Sequence, residues 1–366
     1  MMYFRRYIYR CVVLVVLAIA CQPFAKAQET KPNLVQRVTS YVDTLAVRGV
    51  DSTYIEVPKE PRRIMSVTTL KEMNIELASV INLLEDDDDP VNMNFSSKIS
   101  SGIHTSTGLR LGYRNLNISY ALGFGKLKGQ HFTFGMNGNR FGFNFKLRNF
   151  KTDDCVVDFE LVNPKTGDRG YHEKTKEVFE DPCEIKSLII SAYYIFNHRR
   201  FSNAATNSAS YIQKRSAGSF ILDLSWTQAS ADFATDKNYP YVVVFHNMGR
   251  ISMRQINVGL GYAYNWVPLR RLVISASLTP RVSLDNRLTS WLYDVDMDKE
   301  EITLREKVRK HSRWKLTGTG RVAMVYNHKR WIFSAAADIQ QFRFKNERTK
   351  GELTDWSVKA NIGWRF

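Results

Sequence analysis

Nine cations stand where an alternating chain would turn them to one side: Arg110, Arg140, Lys146, Arg148, Arg281, Lys315, Arg321, Lys359 and Arg365. Apolar residues flank several of them, as Leu109 and Leu111 flank Arg110 and Val358 and Ala360 flank Lys359. With a period of two they share a polar face on which the acids are Asp223 and Asp338. Cations at that density need water or anions as counter-charge, so the chemistry they suggest is binding or passage of small anions rather than bond-making. A second basic group, His198, Arg199, Arg200, Lys214 and Arg215, brackets small residues whose Asn, Ser and Thr side chains could hydrogen-bond inside a lumen.

Other chemistry-bearing motifs are weaker. Cys155 and Cys183 would form a disulfide if both lie in one long loop in an oxidising compartment. The acidic run Glu85 to Asp89 lacks the alternating ligands and central glycine of a calcium loop and reads as a solvated tip, so no metal and no cofactor is expected. Seven histidines include no H-E-x-x-H pair, no G-x-S-x-G elbow is present, and Gly123, Gly125 and Gly129 miss the dinucleotide spacing. His104 near Ser106 would serve a lipid-modifying enzyme only if both faced lipid at one leaflet. The chain reads as a non-enzyme.

The elements that must carry these residues are strands. Asp355 to Phe366 alternates without a break, with Trp356, Val358, Ala360, Ile362, Trp364 and Phe366 on one face. Period-two alternation with lipid-compatible side chains on one face points to a closed barrel, which satisfies every backbone hydrogen bond in a bilayer. Strands are expected at 63–79, 92–113, 116–124, 130–137, 140–150, 184–196, 217–228, 250–266, 271–284, 312–327, 330–345 and 352–366. With both termini periplasmic, the tight connections at Arg114-Asn115, Asn137 to Asn139, Val267 to Arg270 and Asn327 to Lys329 share one side, and the long ones at 80–91, 151–183, 229–249 and 285–311 share the other. Trp226, Trp314 and Trp356 then mark one girdle and Trp266, Trp331 and Trp364 the other, with Trp291 in a loop. Residues 197–216 break the pattern: they are long but fall on the short-turn side, so they should occupy the periplasmic half of the lumen, with Arg199 and Arg200 near inward acids or anions.

At the start, Arg5, Arg6 and Arg10 precede the apolar run Cys11 to Ala20, and Ala25-Lys26-Ala27 fits a signal-peptidase site. The expected organisation is a signal peptide over 1–27, a periplasmic segment over 28–61 with helix-spaced Leu34, Val38, Tyr41, Val42 and Leu45, and a barrel over 62–366. Cleavage would remove four cations, taking the formal charge from +16 to +12. The mean hydropathy of −0.32 suits half-polar strands and excludes a helical membrane protein. A secreted basic chain meets anionic lipid, lipopolysaccharide or acidic solutes rather than nucleic acid.

The runs Gly138 to Phe143, Phe196 to Ser202, Tyr211 to Ser219 and Gly261 to Trp266 resemble those of the domain-of-unknown-function family 4421. The resemblance implies an outer-membrane β-barrel and brings no ligand or activity with it. The expectation is therefore an all-β, transmembrane antiparallel barrel of about 12 strands in the bacterial outer membrane. It would act as a passive pore or binding barrel for small anionic solutes, or alternatively as a non-conducting structural or envelope-assembly barrel. Its aromatic carboxy-terminal strand would be the handle for the barrel-assembly machinery.

Overall fold

The computed structural model describes residues 34–84, 91–100, 102–124, 129–245, 247–345 and 349–366. The expected signal peptide over 1–27 and the acidic run at 85–89 lie outside the described residues. The elements in order are α1 (Leu34–Val47), β1 (Ile55–Glu56), β2 (Arg62–Leu84), β3 (Val91–Ser100), β4 (His104–Tyr113), β5 (Leu116–Phe124), β6 (Gln130–Asn137), β7 (Phe141–Val162), β8 (Arg169–Ile195), α2 (Asn203–Asn207), β9 (Ile212–Gln213) and β10 (Ala217–Asp232). They continue with a 3-10 turn at Asp236–Asn238, α3 (Tyr239–Val244), β11 (Met248–Leu269), β12 (Leu272–Asp296), β13 (Glu301–Ser312), β14 (Lys315–His328), β15 (Trp331–Lys345) and β16 (Thr349–Arg365).

Twelve of the strands close a ring: β2, β4, β5, β6, β7, β8, β10, β11, β12, β14, β15 and β16, each antiparallel to the next. The seam joins last strand to first, with Arg365 opposite Arg63 and Thr349 opposite Ser79. The protein is a transmembrane antiparallel barrel of the expected strand number. Along the ring the outward set is apolar and exposed, as in Leu222, Leu224, Leu260, Val322, Val358 and Ile362. In water such a surface would aggregate; in lipid it is the matching solvent. Trp266 and Trp331 are exposed near the short-turn end and Trp314 near the other.

Tight turns gather at one end, three of them with a non-glycine residue at positive φ (Arg114, Arg271 and Lys329), the geometry that matches a hairpin's twist. The opposite end differs from the sequence expectation. Its long connections are mostly strand: β7 and β8 run on as a hairpin to a turn at Asn163–Asp168, and β12 runs on to pair with β13. Trp291 therefore lies in a strand rather than a loop. The span read as one strand over 92–113 is two, because β4 pairs with the lower half of β2 while β3 pairs with its upper half and bridges to β7 above the short β5–β6 hairpin.

Cys155 and Cys183 also depart from expectation. They are separate, buried thiols in one apolar cluster, not a disulfide. The β7–β8 register sets Thr152 against Cys183 and Cys155 against Glu177 across an irregularity, so the cysteines are not cross-strand partners.

Candidate anion chamber

Three layers fill the bore. At the short-turn end, residues 201–213 fold inward as a plug of small and neutral side chains. Phe201, Ser202, Ala204, Ala205, Thr206, Ser208, Tyr211 and Gln213 are all buried. Ser202 caps the short helix α2 by accepting from Ala205 N (3.2 Å) and donates to Asn139 Oδ1 (2.6 Å). Gln213 Nε2 donates to the carbonyls of Arg200 (2.6 Å) and Arg215 (2.9 Å), and Asn265 Nδ2 donates to the Ser202 carbonyl (2.9 Å). Two arginines clamp the plug from the seam. Arg63 Nη2 donates to Ser210 Oγ (3.0 Å), and Arg365 Nη2 donates to the Ala209 carbonyl (2.7 Å) and Asn327 Oδ1 (3.0 Å).

The plug position was expected; the position of its charges was not. Arg199, Arg200, Lys214 and Arg215 are exposed, outside the bore, and His198 is half-buried beside them. Arg200 lies 3.8 Å from Asp51 and over the Tyr54 ring, Arg215 also lies over Tyr54, and Lys214 Nζ donates to the Ser52 carbonyl (2.8 Å). Charges on the plug would cost several kcal/mol to bury without partners, so neutral groups enter and cations stay outside. The amino-terminal segment covers this end: β1 pairs with β9, Tyr211 OH donates to the Ala46 carbonyl (3.1 Å), and Arg114 Nε donates to Asp43 (2.7 Å).

Above the plug is a chamber of about 260 Å³, floored by Asn203, Thr206, Asn207, Ser208 and Ala209. At the density of liquid water it has room for roughly nine waters. Seven cations line it: Lys71, Arg110, Lys146, Arg148, Arg281, Arg321 and Lys359. Asp223 and Asp338 share the lining, and Asp355 stands beside it. Each carboxylate is already engaged. Asp338 accepts from Arg321 (2.5 Å) and Lys359 (2.8 Å), Asp223 lies 2.6 Å from Arg281, and Asp355 accepts from Arg148. Among the described residues, none of these ion pairs includes Lys71, Lys146 or Arg110. Lys71 is nonetheless only 6% exposed. Arg110 makes one long contact, from Nη1 to the Asn207 carbonyl (3.5 Å).

Of the nine expected inward cations, Arg110, Lys146, Arg148, Arg281, Arg321 and Lys359 meet here. Arg365 turns inward but serves the plug. Lys315 sits at the far end of β14 opposite Ser283, away from the chamber lining. Arg140 is misassigned: it is exposed in the turn before β7, over the Tyr194 ring, because the turn ends the alternation one residue before the strand begins. Lys71 and Arg63 were missed because β2 mixes Met, Val, Thr and charge on its inward face. Asp355 was missed as well, although it follows the same parity as Lys359.

His131 lines the chamber, its ring 6.3 Å from that of His104, and neither His131 nitrogen has a hydrogen-bond partner among the described residues. Ser106 and His104 are buried on the inward face, so they do not meet the requirement for a lipid-facing enzyme site. No group of three or more His, Cys, Asp or Glu that could hold a metal occurs among the described residues.

The third layer is apolar. Inward residues from around the ring, including Met73 and Ile75 (β2), Phe150 (β7), Ile185 (β8), Ala231 (β10), Met253 (β11), Leu288 (β12), Phe342 (β15) and Leu353 (β16), form one buried cluster. Phe233, Val242 and Phe245 from the β10–β11 connection and Met248, the first residue of β11, pack into it. Phe233 contacts Phe179 and Phe245 at centroid distances of 5.7 and 5.1 Å. This stopper fills the bore on the side away from the plug.

Among solved structures, the chain is similar to the translocator domain of autotransporter NalP from Neisseria meningitidis, with 8% identity over 90% of this chain and 94% of that one and a TM-score of 0.31. It is also similar to outer membrane protease OmpT from Escherichia coli (8% identity, 84% and 97% covered, TM-score 0.39) and to the Pseudomonas putida toluene transporter TodX (8% identity, 88% and 93% covered, TM-score 0.26). No curated protein matches the sequence. The family model described as Domain of unknown function (DUF4421) matches residues 49–366, from the segment beneath the plug to the final strand, and the chain belongs to that family.

Proposed function

We propose that this protein is a bacterial outer-membrane barrel that holds a small anionic solute in its internal chamber and does not conduct continuously. The observation that carries this reading is the chamber's charge. Seven cations face three carboxylates, and Lys71, Lys146 and Arg110 take no part in the ion pairs those carboxylates make. Buried cations without counter-charge are costly, and a bound oxyanion supplies the missing charge. In the same reading the plugged end is periplasmic, the long hairpins face outward, and the carboxy-terminal strand is handed to the assembly machinery.

The apolar stopper favours a second reading, a non-conducting structural or envelope-assembly barrel. One pair of measurements separates them: planar-bilayer conductance, and heat stability of the purified protein in sulfate or phosphate against chloride. Little conductance with clear stabilisation by divalent oxyanions is expected. Silence in both supports the structural barrel, and large steady conductance overturns the closed-chamber reading.

A further inference from the structure

We infer that the rim of β11, β12 and β13 binds the phosphate group of an anionic lipid headgroup. Three observations converge on it. The outward faces of these adjoining strands carry Arg250, Arg254, Arg287, Lys307, Arg309 and His311, against Asp285 on β12 and Asp232 at the end of the neighbouring β10. Arg254, Arg287 and His311 all gather on Asp285, at 3.5, 3.1 and 2.5 Å, so one carboxylate serves three basic groups. Higher up, Arg250 and Lys307 both lie over the Trp291 ring, at 4.5 and 4.7 Å, which fixes their positions, and Arg250 also lies 3.5 Å from Asp232.

The height is right for a headgroup. Trp226 pairs with Ile256 and Ile256 with Asp285, so Asp285 is level with a girdle tryptophan. Arg254 and Arg287 stand two residues further along their strands, about 7 Å beyond the girdle at the rise of a strand. The polar layer of a leaflet is roughly 5–8 Å deep. Directly below, Leu278, Leu284, Trp314 and Leu316 are exposed and offer a bed for acyl chains. An amphiphile with its chains on that bed would bring its phosphate to the basic group. The feature is local: on β2 the corresponding level carries Glu72, which accepts from Trp356 Nε1 (2.9 Å), and Glu76.

The test uses the full chain reconstituted in an equal mixture of phosphatidylcholine and phosphatidylglycerol, released in detergent and weighed by native mass spectrometry. The wild type should retain phosphatidylglycerol in preference to phosphatidylcholine. Losing one cation near an anionic headgroup should weaken retention roughly fivefold, and the triple variant Arg254→Gln, Arg287→Gln, Lys307→Gln roughly a hundredfold. Lys98→Gln, on the far rim, should change nothing. If the triple variant does not reach the folded gel mobility, the single variant Arg254→Gln should still show its fivefold loss. Equal retention by wild type and a folded variant overturns the inference. So does displacement of the lipid by millimolar inorganic phosphate with no loss of affinity relative to the lipid, because the site would then take a free anion.

Discussion

Replacing Asp338 with Asn tests the chamber's charge most directly. The substitution keeps the side chain's volume and, among the described chamber residues, removes the carboxylate that serves two cations, Arg321 at 2.5 Å and Lys359 at 2.8 Å. All three side chains are mostly buried, with Asp338 only 19% exposed. Breaking a buried ion pair from one side costs about 3–5 kcal/mol, and a hydrated chamber places this case near the lower figure. For a chain of this size about 3 kcal/mol corresponds to roughly 4 °C in the unfolding midpoint. The assay is the temperature at which the folded gel band is lost, in chloride and in sulfate at equal ionic strength. In chloride the variant should fall by the full amount; in sulfate it should recover at least half, since a divalent oxyanion can stand between Arg321, Lys359 and Lys146 where the carboxylate was. An unchanged midpoint, or the same drop in both salts, would refute the electrostatic reading of the chamber.

Further perturbations address the other layers. Phe233→Ala should cost about 3–5 kcal/mol, because it opens a cavity in the stopper, and its unfolding midpoint should drop accordingly. Replacing residues 201–212 with an Asn-Gly turn should lower heat stability but leave conductance small, and measurable current should require trimming Phe233 and Phe245 as well; bilayer recordings decide. At Gly142 a Cβ would meet the Tyr193 ring at 2.3 Å, so Gly142→Val should reduce the yield of folded protein on refolding. Asp51 is held below its usual value of 3.8 mainly by accepting from Thr53, with Arg200 adding to it. Its depressed carboxylate stabilises the cap above that pH and loses the contribution as the solution is acidified below it. Limited proteolysis of the 34–61 segment should therefore accelerate under acid in the wild type and show less pH dependence in Asp51→Asn.

How much of this was legible depended on periodicity. β5 and β6 were read to the residue, since Leu116 to Phe124 and Gln130 to Asn137 alternate cleanly and their turns are tight. The plug was legible too, through parity: residues 197–216 were too long for their side of the barrel. What sequence could not show was the level at which an inward face changes character. On β2, Lys71 belongs to the chamber and Met73 to the stopper, yet they are two residues apart on one face. Nothing in a period of two separates a wet layer from a dry one; that depends on what the other strands bring to the same height. The side of the plug on which its cations lie was equally hidden, because Asp51 and Tyr54, which receive them, are distant in sequence.

The plug's two clamps carry a consequence for how the molecule is built. Arg63 is the second residue of the first ring strand and Arg365 the last residue of the final one, and they face each other across the seam. Until β16 reaches β2 the clamp on residues 208–210 is only half built, since Arg365 is still at the unfinished end of the chain. Like charges set side by side also oppose that final pairing, and the Ala209 carbonyl and Ser210 hydroxyl relieve the opposition only once both guanidinium groups are present. Seating of the plug is thus a late event that certifies completed circularisation: an intermediate lacking its last strand would stay unlatched, with its hollow interior accessible, and would be recognisable as unfinished.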